Sequence, residues 1–104
     1  MKKIITIGEC LIDFLPKEQG LGLSKVTHFE KKPGGAPANV AVQAKKCGVD
    51  SIFIGMVGND TFGSFLIQTL KDEGVNVSYM KQTDQAKTAL AFVSLDDEGD
   101  REFM

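Results

Sequence analysis

Residues 34–41 read Gly-Gly-Ala-Pro-Ala-Asn-Val-Ala, a combination of types that suits the grip of an oxygen-rich ligand. Gly34 and Gly35 carry no Cβ, so the backbone can come close to a bound molecule. Pro37 fits the first turn of a helix, where a missing N–H costs nothing. The N-terminus of that helix leaves backbone N–H groups unpaired and partly positive, which favours hydroxyls and anions. Asn39, just inside, adds an amide that both donates and accepts. The same run also fits a glycine-rich strand-to-helix turn that binds nothing. Asp13, between Ile12 and Phe14, is a second candidate. A carboxylate in that setting needs solvent or a partner. An exposed place on an edge strand would supply the first and a ligand the second.

Other chemistries find less support. Gly34-Gly35-Ala36-Pro37 lacks the Gly-Lys-Ser/Thr ending of a phosphate-cradling P-loop. Gly55-Met56-Val57-Gly58 lacks the third glycine and the strand-then-turn setting of a dinucleotide fingerprint. His28 is the single histidine, in a polar stretch expected to be exposed, so a Ser/His/Asp triad has little to stand on. Asp60 reads most simply as a helix cap. Cys10 and Cys47 are too isolated to suggest a metal site and are expected as reduced, buried small residues of a cytosolic protein.

These residues must be positioned by a chain of 104 residues, 42% of them hydrophobic, enough for one small domain or part of a larger one. The formal net charge of −2 gives no basic face, so nucleic acid is not an expected partner. No apolar run is long enough to cross a bilayer, and no signal-peptide cleavage pattern opens the chain. The run Ile4, Ile5, Ile7 within Lys3–Gly8 predicts a strand covered on both faces. Leu11–Leu15 continues extended, with Leu11, Asp13 and Leu15 on one face and Ile12 and Phe14 on the other. A short strand is predicted at Val26–Phe29 and a helix from Ala38 to Cys47, stopped by Gly48. Then come a strand at Ser51–Val57, a helix capped by Asn59 or Asp60 that runs to about Glu73, and a strand at Val75–Met80. Thr88–Leu95 and Arg101–Met104 read as a hairpin about the turn at Asp96–Asp100. The alternation predicts an α/β fold with a mainly parallel sheet flanked by helices and a ligand at the carboxyl ends of its strands. The pieces near 11–29 and 88–104 break the alternation and are expected in a separate small sheet.

Taken together, these motifs resemble the ribokinase-like (PfkB) carbohydrate kinases. Ile7-Gly8-Glu9 with Leu11-Ile12-Asp13 comes first, followed by Gly34–Ala41. Phe53-Ile54-Gly55, Val57-Gly58-Asn59-Asp60, Phe62-Gly63 and Gly74-Val75 follow in order. Thr88-Ala89-Leu90-Ala91-Phe92-Val93 and Arg101-Glu102-Phe103 make the likeness greatest to the fructokinases. The resemblance implies that residues 1–104 are the N-terminal, sugar-side part of a longer kinase domain. Segments at about 11–33 and 87–104 would form a small β-lid, through which the family often dimerises. Asp13 would accept hydrogen bonds from sugar hydroxyls, Gly34 and Gly35 would lie against the sugar, and Asn39 would complete the grip. Ala91 and Phe103 would add apolar contacts from the lid. The catalytic base, the Mg-linked segment and most of the ATP pocket belong to later parts of the family's chain. No catalytic residue, metal or ATP is therefore assigned to this segment, which is expected to be inactive alone. Three alternatives stay open: a 2-keto-3-deoxygluconate kinase, an aminoimidazole riboside kinase, and a non-catalytic sugar-binding or dimerising module.

Overall fold

A computed structural model describes residues 2–18, 20–95 and 101–103. The chain runs β1 (Lys3–Ile7), β2 (Leu11–Pro16), a 3-10 turn at Leu23–Lys25, β3 (Phe29–Gly34), α1 (Ala36–Lys46) and β4 (Asp50–Gly58). It continues with α2 (Thr61–Asp72), β5 (Asn76–Thr83), β6 (Leu90–Leu95) and β7 (Arg101–Phe103). The turn expected at Asp96–Asp100 and the strand end expected at Met104 lie outside the described residues.

Strands β1, β4 and β5 form a parallel sheet in the order β1-β4-β5. Each crossover carries one helix, as parallel neighbours require. The two crossovers step the same way across the sheet, so both helices land on one face. Ser51 Oγ donates to Ala41 O of α1, while Gly63 of α2 abuts Val57. Ser51 and Val57 share a face because side chains alternate along a strand. Between sheet and helices lie Phe53, Leu66, Leu70 and Ala41, all essentially sealed from solvent. Among the described residues no helix lies over the opposite face. Ile5, Ile7, Met56 and Tyr79 are 58%, 69%, 57% and 56% exposed there. Within the described residues β1 is covered by helices on one face, where the sequence predicts cover on both.

The other extended pieces form a second sheet in the order β3-β2-β6-β7. β2 pairs antiparallel with β3 and parallel with β6, and β6 pairs antiparallel with β7. The short strand expected at Val26–Phe29 begins at Phe29 instead and runs to Gly34. Val26 is buried just after the 3-10 turn, and pairing with β2 extends through Lys31, Lys32 and Pro33, whose types favour a loop. Glu18 fastens the connection by accepting from Thr27 N, Thr27 Oγ1 and His28 N. These bonds, with Thr27 N–H first, hold the Glu18 carboxyl below its usual pKa. His28 is exposed, and its Nδ1 lies 3.1 Å from Glu18 Oε1.

Aromatic contacts hold the second sheet together and tie it to α2. Phe14 and Phe92 stack at 4.7 Å between centroids, and Phe29 meets Phe92 edge-on at 5.3 Å. Phe14 also meets Phe62 of α2 edge-on at 5.9 Å, and Lys31 Nζ lies 4.1 Å from the centre of the Phe65 ring. Such arrangements match the negative face and positive edge of aromatic rings.

Candidate functional site

Gly35 is the N-cap of α1 with φ of 99°, a backbone region that disfavours residues with a Cβ. There is no space for one either, since an added Cβ would lie 2.5 Å from Glu9 O and 3.2 Å from Cys10 Cα. The glycine thus presses the start of α1 against the carboxyl end of β1. α1 begins at Ala36, two residues before the expected Ala38, and Pro37 sits in its first turn. Gly34 is buried, and a Cβ there would run into the Asp13 carboxylate and come within 3.1 Å of Leu11 Cδ1. A carboxylate and a bare stretch of backbone are therefore in direct apposition beside a helix N-terminus. Donors and acceptors for several hydroxyls converge there.

Asp13 is half-buried and lies on β2, an inner strand of the second sheet, so an edge-strand placement is ruled out. Among the described residues its carboxylate has no hydrogen-bond or ion-pair partner. In register, Asp13 stands opposite Lys32 on β3 and Ala91 on β6. Ala91 is half-buried, and the β6–β7 register puts Phe103 opposite Val93. Asp13, Gly34, Gly35 and Ala91 are thus brought together. Asn39 is exposed one turn into α1, where its N–H donates to Gly35 O. The residue borders a shallow apolar groove of about 480 Å³ with Ile4, Val40 and Cys47, along the edge of β1 that no other described strand pairs with.

A second hollow, of about 240 Å³, lies at the carboxyl ends of the parallel strands, bordered by Glu9, Met56, Gly58, Thr83 and Thr88. Parallel α/β sheets collect ligands at this edge. Cys10, also on its wall, is buried, and burial pushes its thiol up to about 11. It stays a thiol at neutral pH and offers no nucleophile. Cys47 is exposed, contrary to expectation, because it closes α1 on the side away from the core.

Asp60 caps α2 as its sequence position suggests, accepting from Gly63 N at 2.7 Å. Its further bonds to Thr88 were not legible in sequence. Thr88 Oγ1 donates to Asp60 Oδ1 at 2.6 Å, and Thr88 N donates to Asp60 Oδ2 at 2.9 Å. These bonds, with the Thr88 hydroxyl first, hold the Asp60 carboxyl below its usual pKa. Among the described residues no group of three His, Cys, Asp or Glu side chains converges to hold a metal ion. None of the described helices is long and apolar enough to cross a membrane.

The model of the pfkB family carbohydrate kinases matches residues 1–104. The chain belongs to this family. A protein named "Probable fructokinase-6, chloroplastic" from Arabidopsis thaliana is 52% identical over 101 residues, which is 97% of this chain and 26% of that one. Among solved structures, an uncharacterised sugar kinase from Pyrococcus horikoshii in complex with ATP superposes with a TM-score of 0.91 at 44% identity, over 97% of this chain and 33% of that one. The apo fructokinase of Vibrio cholerae does so with a TM-score of 0.85 at 38% identity, over 100% of this chain and 33% of that one. The fold is therefore ribokinase-like. The chain spans a third or less of each of these relatives.

Proposed function

We propose that this segment is the sugar-binding N-terminal part of an ATP-dependent fructokinase that phosphorylates a primary hydroxyl. The apposition of the Asp13 carboxylate with the bare backbone of Gly34, at the start of α1, carries the reading. A carboxylate accepts short, strong bonds from vicinal hydroxyls. The glycines let the sugar ring lie flat against the chain, and the family likeness assigns Asn39, on the first turn of α1, to complete the grip. The second sheet acts as the lid, with Ala91 and Phe103 as its apolar contacts and its outer surface as the seam of a homodimer. Curated relatives named fructokinases, at 46% to 52% identity, put fructose first among candidate sugars.

In that enzyme the role of residues 1–104 is to orient the acceptor hydroxyl and exclude water, which would otherwise compete for the phosphoryl group. ATP supplies that group. The base that takes the hydroxyl proton and the site for ATP and Mg lie outside this segment, and the described residues do not fit a metal. Residues 1–104 alone accordingly give no turnover. We assign the enzyme to the cytosol.

The deciding experiment is steady-state kinetics of the full-length enzyme carrying Asp13→Ala, with fructose varied. Each charged hydrogen bond lost costs about 1.5–3 kcal/mol, so sugar KM rises and kcat falls together while ATP KM holds. Wild-type sugar KM and kcat in a folded variant would overturn the assignment of Asp13.

A further inference from the structure

The contacts of Asp60 exceed what a helix cap needs. One oxygen accepting from Gly63 N would suffice, and Ser, Thr or Asn would serve as well. Here Asp60 Oδ1 also accepts from the Thr88 hydroxyl, and Oδ2 accepts from Thr88 N. Thr88 Oγ1 in turn accepts from Gly58 N at 3.0 Å, where β4 ends. Thr88 is 6% exposed and its bond from Gly58 N is buried, while the bonds to Asp60 are partly buried. Gly58 leaves the required space: a Cβ there would lie 2.5 Å from both Thr88 N and Asp60 Oδ2.

What Thr88 holds gives the interlock its consequence. The next residue, Ala89, accepts through its carbonyl from Ile12 N at 3.1 Å. Leu90 then stands opposite Ile12, and Ala91 opposite Asp13. β6 thus leaves a fixed point at the carboxyl end of β4 and reaches Asp13 within three residues. β4 and α2 are set in the sealed core, so the interlock transmits the position of that core to the second sheet.

We propose that Asp60 and Thr88 are positioning residues for the sugar site, their interlock fixing the start of β6 and so the place of Ala91 beside Asp13. The inference rests on the reading of Asp13 and β6 as the sugar site. It differs from a capping role because it couples Asp60 to substrate handling across the two sheets. It also gives Gly58 and Gly63 a shared reason, since an added Cβ on Gly63 would lie 3.0 Å from Thr88 Oγ1.

The test uses the full-length enzyme with Asp60→Asn, Thr88→Val and Thr88→Ser. Asparagine keeps the cap but turns one acceptor oxygen into a donor facing Thr88 N–H. Valine keeps the shape of threonine without its hydroxyl. Asp60→Asn and Thr88→Val should each raise sugar KM about tenfold and lower kcat, with ATP KM within about twofold. Thr88→Ser should stay within about twofold of wild type on every parameter. Lowered melting temperature with unchanged sugar KM and kcat would show a merely structural role and overturn the inference. Should both disruptive variants fail to fold, hydrogen exchange on the wild type decides. Bound sugar should slow exchange at Gly58 and Thr88 by about tenfold and leave the end of α1 unchanged, and equal protection with and without sugar would overturn it. A wild-type enzyme inactive on fructose but active on another sugar fails the fructose reading alone, and the same variants are then measured with that sugar.

Discussion

In the parallel layer, Phe53, Leu66 and Leu70 are sealed between strands and helices, each carried by an element with a regular hydrophobic pattern. Among the described side chains of the second sheet Ile12 alone reaches that degree of burial, and the sheet's other contacts include Val93, half-buried rings, one cation over a ring and a few polar ties. Close-packed interiors adopt discrete arrangements and resist deformation, whereas ring edges and cross-strand pairs can shift by small amounts at modest cost. The layer is a fixed reference. The second sheet is held to it at a few named points, and the carboxylate of Asp13 sits where the two meet.

The largest effect expected from this contrast is in the layer. Phe53→Ala should lower unfolding stability by about 3–5 kcal/mol, measured by denaturant titration, because the sealed ring leaves a cavity its neighbours cannot fill. A loss below about 1.5 kcal/mol would mean the layer is far more compliant than its packing suggests.

At the junction, Gly35→Ala should cost about 1–3 kcal/mol from its positive φ alone, and the Glu9 carbonyl must also give way. Sugar KM should rise with it, since α1 can no longer press against β1. Retained stability and kinetics would separate the start of α1 from the site.

Within the second sheet, Phe92→Ala removes two ring contacts worth about 0.5–1.5 kcal/mol each, beyond lost apolar burial. Its mark should be on sugar KM more than on melting temperature. The reverse order would sharpen the comparison the other way, making the rings part of the fixed core.

The smallest effect is in acid. Asp60 ionises more readily folded than unfolded because of Thr88 and Gly63, so it contributes stability that is complete above the usual aspartate value of 3.8. That contribution is lost as pH falls through the lower folded value. Melting temperature followed down to acid pH should therefore fall less steeply in Thr88→Val than in wild type, and equal slopes would dismiss Thr88 as the cause.

The layer was legible because its signals are local. Apolar runs gave β1, β4 and β5, Asp60 gave the start of α2, and Gly48 and Gly74, both at φ of 86°, gave the helix stops. The second sheet was legible only in outline. Lys31, Lys32 and Pro33 have the composition of a loop, and only pairing with β2 makes them strand. That both helices occupy one face follows from the direction of two crossovers, which no window of residues encodes. Asp13 meets Gly34 because β2 and β3 pair, a contact that sequence alone suggested only by resemblance. The bond from Thr88 to Asp60 carried no signal, since the two lie 28 positions apart on either side of α2 and β5.

The pairing of β2 with β6 has a consequence for how the protein acquires its structure. Ile12 and Leu90 are partners, and almost all of the described chain lies between them. Closing so long a loop in a disordered chain is entropically unfavourable and slow, whereas the β4–α2–β5 crossover of the layer closes over a much shorter one. Once β1, β4 and β5 are assembled, β2 hangs from the end of β1 and Thr88 is tethered near the end of β4, and the long loop is already closed. The pairing of β6 with β2 therefore forms last, on a template. Hydrogen exchange should accordingly find the amides of β6 opening before those of β4, which is held between its neighbours and the helices.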